Sequence, residues 1–184
     1  FLFLFLPIVL IAYYNPIFKS LPFKNAVLIV SSIFFYAWGE PVYVLLMLGS
    51  ILVNWALGLA VDKNRGNKKG RAALTVSVIF NIGMLFVFKY LTFTLENINL
   101  LFHTSLDTLN ITLPIGISFF TFQAMSYVID VYRGNGDVQK NPCNVALYIS
   151  FFPQLIAGPI VRYQTIADQI KERHENFDQF TDGV

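Results

Sequence analysis

Nucleophiles, bases and metal ligands are scarce in this chain, and none stands at a spacing that assembles a reaction centre. The two histidines, His103 and His174, have no acid or nucleophile placed to orient the ring as a general base. Apolar residues flank the first, which reads as an interfacial or loop side chain. The second lies in the charged run Lys171–Glu175 and reads as solvated. A single cysteine, Cys143, excludes an intrachain disulfide and a cysteine metal cluster, and its default role is a packed thiol. HExxH, GxSxG, CxxC and Walker-type glycine patterns are all absent, so no metal site is expected.

The chemistry-bearing groups are of another kind: uncharged polar residues and helix breakers set inside apolar segments. They concentrate in LPIGISFFTFQAMSYVIDVYRG and NVALYISFFPQLIAGPIVRY, between Leu113 and Tyr163. In a bilayer every backbone N–H and C=O needs a partner, so breaks at Pro153 and at Gly158–Pro159 suit backbone buried in protein or lining a wet cavity. Interhelical hydrogen bonding is the default for Asn54, Asn81, Ser118, Thr121, Gln123, Ser126 and Gln154, with Gly58, Gly83 and Gly116 permitting close packing. Gln123 and Gln154 fit that default less well, because a primary amide brings two donors and an acceptor. The candidate cavity lining is therefore Pro114, Gly116, Ser118, Gln123, Pro153, Gln154, Gly158, Pro159, Arg162 and Tyr163. Arg162 and Tyr163 either anchor at the interface or hold a phosphate or pantetheine-type group. Asp130 and Arg133, three apart, read as a local ion pair.

The composition sets the frame for these residues. Of 184 residues, 55% are hydrophobic and only 13% charged, against about 25% charged in a soluble domain. The net charge of +2 is too small to point to nucleic acid. An all-α, polytopic membrane bundle follows, with helices expected near 1–14, 24–38, 42–61, 72–90 and 113–131, a broken segment over 142–161, and an amphipathic surface helix over 165–180. Phe1–Tyr14 reads as the remainder of a first transmembrane helix, and the whole as one incomplete membrane domain. Five basic residues against one acid in Asp62–Arg71 place that loop in the cytoplasm, and Thr92–Thr112, without Lys or Arg, outside. The broken segment either re-enters or crosses fully; its breaks, and the basic residues after it, favour re-entry. Thr165 and Asp168 form an approximate capping box for the last helix, which lies on the membrane or on the bundle, or docks a partner.

In the segments quoted above the sequence resembles the membrane-bound O-acyltransferase family, in its bacterial alginate O-acetyltransferase branch. FLFLFLPIVL and SSIFFYAWGEP are also similar to the branch's first helices, so the resemblance runs over essentially the whole chain. It implies a ring of helices around a thin centre, and transfer of an acetyl group from a cytoplasmic thioester or carrier donor to hydroxyls of an extracytoplasmic polysaccharide. It implies no bound cofactor; acetyl-CoA or an acyl carrier would be a substrate. Expected partners are the lipid bilayer of the bacterial inner membrane, the polysaccharide, a cytoplasmic donor carrier and extracytoplasmic acetylation proteins. The family's catalytic histidine lies in a later Trp- and Arg-rich motif that neither His103 nor His174 matches. These 184 residues alone are therefore expected to be inactive. D-alanyl transfer to teichoic acid within the family, and a transporter or translocation subunit outside it, are the alternatives; neutral rather than charged groups at mid-membrane weigh against the transporter.

Overall fold

The computed structural model describes residues 3–17, 20–105, 107, 111–155, 158 and 161–173, and among them there is no strand. Helix α1 covers Phe5–Tyr13, α2 Leu21–Gly39, α3 Tyr43–Lys63 and α4 Lys68–Leu85. A π-helical turn, Phe86–Tyr90, joins α4 to α5, Leu91–Phe102; then come α6, Ile117–Arg133, α7, Pro142–Ser150, α8, Phe152–Leu155, and α9, Tyr163–Lys171. Among the described residues three helices are long and apolar enough to cross a membrane: α2, α3 and the continuous Lys68–Phe102 rod. The chain is a multi-pass membrane protein with an all-α bundle.

Helices α3, α4 and α6 form the main core, around Met47, Ile51, Phe120, Ala124 and Val128. Helix α7 wedges between α2, α3 and α6, and α1 packs on α2 around Val9, Tyr13, Leu28 and Phe152. The expected interhelical polar contacts form between α3 and α4. Asn54 Nδ2 donates to Asn81 Oδ1 at 3.2 Å, Asn81 Nδ2 returns a bond to Asn54 Oδ1 at 2.7 Å, and Ser77 Oγ adds a third at 3.0 Å. All three side chains are fully buried, where hydrogen bonding removes the desolvation penalty.

Several boundaries differ from the sequence expectation, each for a local reason. Helix α2 begins at Leu21 rather than 24, because Pro22 suits a first turn and the Lys24 ammonium lies over the Tyr13 ring at 5.0 Å. The basic stretch expected to be a loop is a tight turn, with Lys68, Lys69 and Arg71 already in α4. The helix expected to end at 90 runs to Phe102, about 52 Å of rise, because the extra residue of the π turn is absorbed without ending the helix. Thr92–Thr112 is thus helical in its first half, and exposed His103 caps α5 in a left-handed conformation.

Helix α6 starts at Ile117, four residues later than the segment expected over 113–131, and its 17 residues rise only about 25 Å. Pro114 and Gly116 delay it: the proline lacks an N–H, and Gly116 adopts φ 76° at the N-cap. The extended residues before it are pinned by neighbouring helices. Tyr36 Oη donates to Ile115 O at 2.9 Å, Tyr43 Oη to Thr112 O at 2.9 Å, and Ile115 N to Glu40 Oε1 at 3.3 Å.

Candidate functional site: the returning segment and its tyrosine clasp

The chain after α6 goes into the bundle and comes back to the end it left. A Schellman stop closes α6, with Asn135 N bonded to Asp130 O and Gly134 N to Val131 O. Residues 135–141 lead to α7, where Asn141 Oδ1 caps Cys143 N at 2.9 Å. Nine residues rise about 14 Å, roughly half the hydrocarbon thickness, so α7 does not cross by itself. The helix stops at Ser150 because Pro153 lacks the N–H that would bond Ile149 O, and its ring would strike that carbonyl. Phe151 takes a non-helical ψ of 113°, and the chain restarts as α8 with Pro153 in its first turn. The break therefore falls at Phe151, two residues before the proline expected to make it.

The return is fixed by Tyr163. Its hydroxyl donates to Asp137 O at 2.6 Å and accepts from Gln139 Nε2 at 2.7 Å. Gln139 is 2% exposed and shares every polar atom. Its Oε1 accepts from Asn144 Nδ2 at 2.9 Å, its N donates to Tyr127 Oη at 3.3 Å, and its O accepts from Trp55 Nε1 at 3.0 Å. The Tyr163 ring meets Tyr127 edge-on at 4.9 Å and Tyr148 at 5.4 Å, while Tyr148 Oη donates to Val161 O at 2.8 Å. A Cβ at Gly136 would stand 2.8 Å from the Tyr163 ring, and one at Gly58 2.6 Å from the Tyr127 ring, so both rings lie against bare backbone. At Gly83 nothing lies within 4 Å, so that glycine does not serve close packing among the described residues. Burial pushes the Tyr163 phenol up to about 12, against the lowering effect of its Gln139 bond.

Helix α9 begins at Tyr163, two residues before the Thr165 expected to cap it. The cap is tertiary: Asp130 Oδ2 accepts from Gln164 N at 3.2 Å and Ser126 Oγ from Tyr163 N at 3.4 Å. A carboxylate at a helix N-terminus satisfies orphan donors and complements the dipole, which outweighs a local box. This corrects the Asp130–Arg133 ion pair: Asp130 is 5% exposed and serves α9, while Arg133 is exposed. Of the apolar face expected over 165–180, α9 carries half-buried Ile166 and buried Ile170; His174, Phe177 and Phe180 lie outside the described residues.

The sequence-derived lining residues are distributed along the bundle. Buried Pro114, with Gly116 and half-buried Ser118, sits at the start of α6, and exposed Arg162 with buried Tyr163 at the opposite end. Between them Gln123 is 1% exposed, and its Oε1, like Thr121 Oγ1, has no hydrogen-bond partner among the described residues. Gln154, 7% exposed, lines a cavity of about 150 Å³ between α2, α7, α8 and α9, with Leu147, Phe151, Ile170 and Arg173. Pro153 is exposed; Gly158 packs against Gln154 and donates its N–H to Gln154 O at 3.3 Å. Pro159 lies outside the described residues. Cys143, expected to be packed, is exposed in the first turn of α7. Tyr127, Gln139 and Tyr148 are the members sequence reasoning missed. Tyr127 carries one signal, its place one turn after Gln123 on the same helix face; Gln139, in a polar connection, carries none.

Among the described residues no group of His, Cys, Asp and Glu could hold a metal. The clasp offers neutral phenols and amides, which position backbone and do not transfer protons at ordinary pH.

No protein-family model matches the chain, and no solved structure matches it. Its relatives are nevertheless clear. A probable alginate O-acetylase AlgI of Pseudomonas aeruginosa is 37% identical over the whole chain, and one of Pseudomonas syringae is 36% identical over the same extent. A peptidoglycan O-acetyltransferase of Helicobacter pylori is 34% identical over 96% of it. The chain spans 36–38% of the length of these relatives. Its likeness to O-acetyltransferases along its entire length identifies it as a member of the membrane-bound O-acyltransferase family, in the alginate O-acetylase branch.

Proposed function

We propose that the intact protein is a glycan O-acetyltransferase of the bacterial inner membrane, and that these residues form part of its passage wall. The observation that carries this reading is the 34–37% identity, across the chain, to proteins named for O-acetylation of alginate and peptidoglycan. The donor, acetyl-CoA or an acyl carrier, is taken from the cytoplasm at the basic end, where the 62–71 turn lies. The acceptor hydroxyl belongs to an extracytoplasmic polysaccharide such as alginate, presented with the help of extracytoplasmic acetylation proteins.

Two kinds of geometry support this. The returning segment thins the bundle, since α7 and α8 stop short of the far side. Among the described residues Thr121 Oγ1 and Gln123 Oε1 are buried acceptors without a hydrogen-bond partner, which suits a hydrated or substrate-filled passage. Pro114, Gly116, Ser118, Gln123, Pro153, Gln154, Gly158, Pro159, Arg162 and Tyr163 are the residues assigned to its wall. General-base catalysis falls to a histidine supplied elsewhere in the intact enzyme.

The test is complementation. The complete gene is expressed in a strain lacking its own O-acetylase, and acetate released from the glycan by mild base is measured. Ester acetate restored on alginate supports the reading; vector-level acetate on every glycan, with the protein present in the membrane, overturns it. The Helicobacter relative makes peptidoglycan the competing acceptor, and acetate on that polymer alone would select it.

A further inference from the structure

A cleft of about 600 Å³, within the range of ligand-sized pockets, opens between the N-terminal turns of α2 and α7 and the end of α9. One wall is apolar and belongs to α2: Leu21, Pro22, Ala26, Ile29 and Val30. From Leu21 to Val30 that wall descends about 14 Å, the depth of one leaflet's hydrocarbon. The mouth is polar and lies at the basic end, with Asn141, Asn144 and Lys171 around it. Of the three bordering helices, α2 and α7 bring N-termini with no acid in the first turn, while α9 brings its C-terminus, whose negative end Lys171 offsets. Asp137 holds Lys171 Nζ at 2.7 Å, but an ammonium has three donors and that side chain remains 44% exposed.

We propose that this cleft is a site for an anionic glycerophospholipid, its phosphate at Lys171 and the two helix N-termini, and an acyl chain along Ala26, Ile29 and Val30. The polar and apolar parts are ordered as the lipid's own are, and at the right depth for one leaflet. A soluble anion would gain nothing from the apolar wall, and a zwitterionic lipid would gain less at the mouth. Intramembrane pockets with a basic mouth select anionic headgroups by this combination. The site concerns lipid, not acyl transfer, so it stands or falls separately from the proposed activity.

The experiment is native mass spectrometry of the full-length protein released from mixed vesicles of phosphatidylglycerol and phosphatidylethanolamine. The expected result is retention of phosphatidylglycerol over phosphatidylethanolamine by about five-fold. Lys171→Gln should bring the ratio near parity, and Asp137→Asn, which removes a competing carboxylate, should raise it. Ala26→Trp should lower retention of both lipids by filling the wall, and circular dichroism verifies that each variant is folded. Equal retention of the two lipids by the unmodified protein, a ratio that Asp137→Asn leaves unchanged, or displacement of the lipid by inorganic phosphate would overturn the proposal.

Discussion

The Tyr163 hydroxyl stands 2.7 Å from Gln139 Nε2 and 2.6 Å from Asp137 O, closing an excursion of some two dozen residues on the connection that began it. The two ends of the returning segment are thereby held at one end of the bundle. Removing that hydroxyl leaves a buried amide and a carbonyl short of a partner. Tyr163→Phe should destabilise by about 1–3 kcal/mol, while keeping the ring contacts with Tyr127 and Tyr148. Tyr163→Ala should cost more, through the cavity it leaves. Denaturant titration in detergent measures both.

Gly136 and Gly58 are sensitive for a steric reason. A methyl at either would overlap a tyrosine ring at less than 3 Å, and overpacking of this kind costs about 1–3 kcal/mol. Gly136→Ala and Gly58→Ala should both lower the unfolding midpoint. Gly83→Ala meets open space and should be neutral or stabilising.

The Asn54–Asn81 pair should show coupling. Each single change to Leu takes one partner from the other amide, which keeps its bonds to Ser50 or Ser77, whereas the double change removes both polar groups. A double-mutant cycle is expected to give about 0.6–1.7 kcal/mol of interaction, the range seen for polar pairs between membrane helices.

Two groups at the basic end give pH dependence of opposite sign. The Lys171 hydrogen bond and charge hold the Asp137 carboxyl below the usual carboxylate range. Its contribution is therefore complete above about pH 4 and is lost as pH falls through the lowered value. Hydrogen exchange of α9 should quicken on such acidification, and Asp137→Asn should remove that dependence. Tyr163, raised to about 12, contributes fully below the ordinary phenol value near 10 and loses its contribution as pH rises through 12. The difference in 295 nm absorbance between the unmodified protein and Tyr163→Phe should titrate near pH 12.

The N-terminal turn of α9 depends on a residue of α6. Asp130→Ala should fray α9 and cost about 0.5–2 kcal/mol, as loss of a helix cap does, whereas Thr165→Ala should cost little. Exchange protection at Gln164 separates the two.

The sequence by itself determined what solvent demands impose locally. Uncharged apolar runs fixed α2, α3 and α4 as helices, because hydrocarbon leaves a backbone no other way to satisfy itself. Pro153 announced an interruption for the same reason, and the Asn54 and Asn81 amides announced a contact between helices. The motifs LPIGISFF and SFFPQLIAGPIVRY carried the family likeness. Tertiary structure alone decided where partners come from. That Asp130 caps α9 rather than pairing with Arg133, that Gln139 is buried in a polar connection, and that Tyr163 returns to Asp137 all depend on pairs 24 to 34 residues apart. Local spacing records a residue's capacity to bond but not which distant group will meet it. Packing settles that, because a buried donor takes whichever acceptor the neighbouring helices bring within 3 Å.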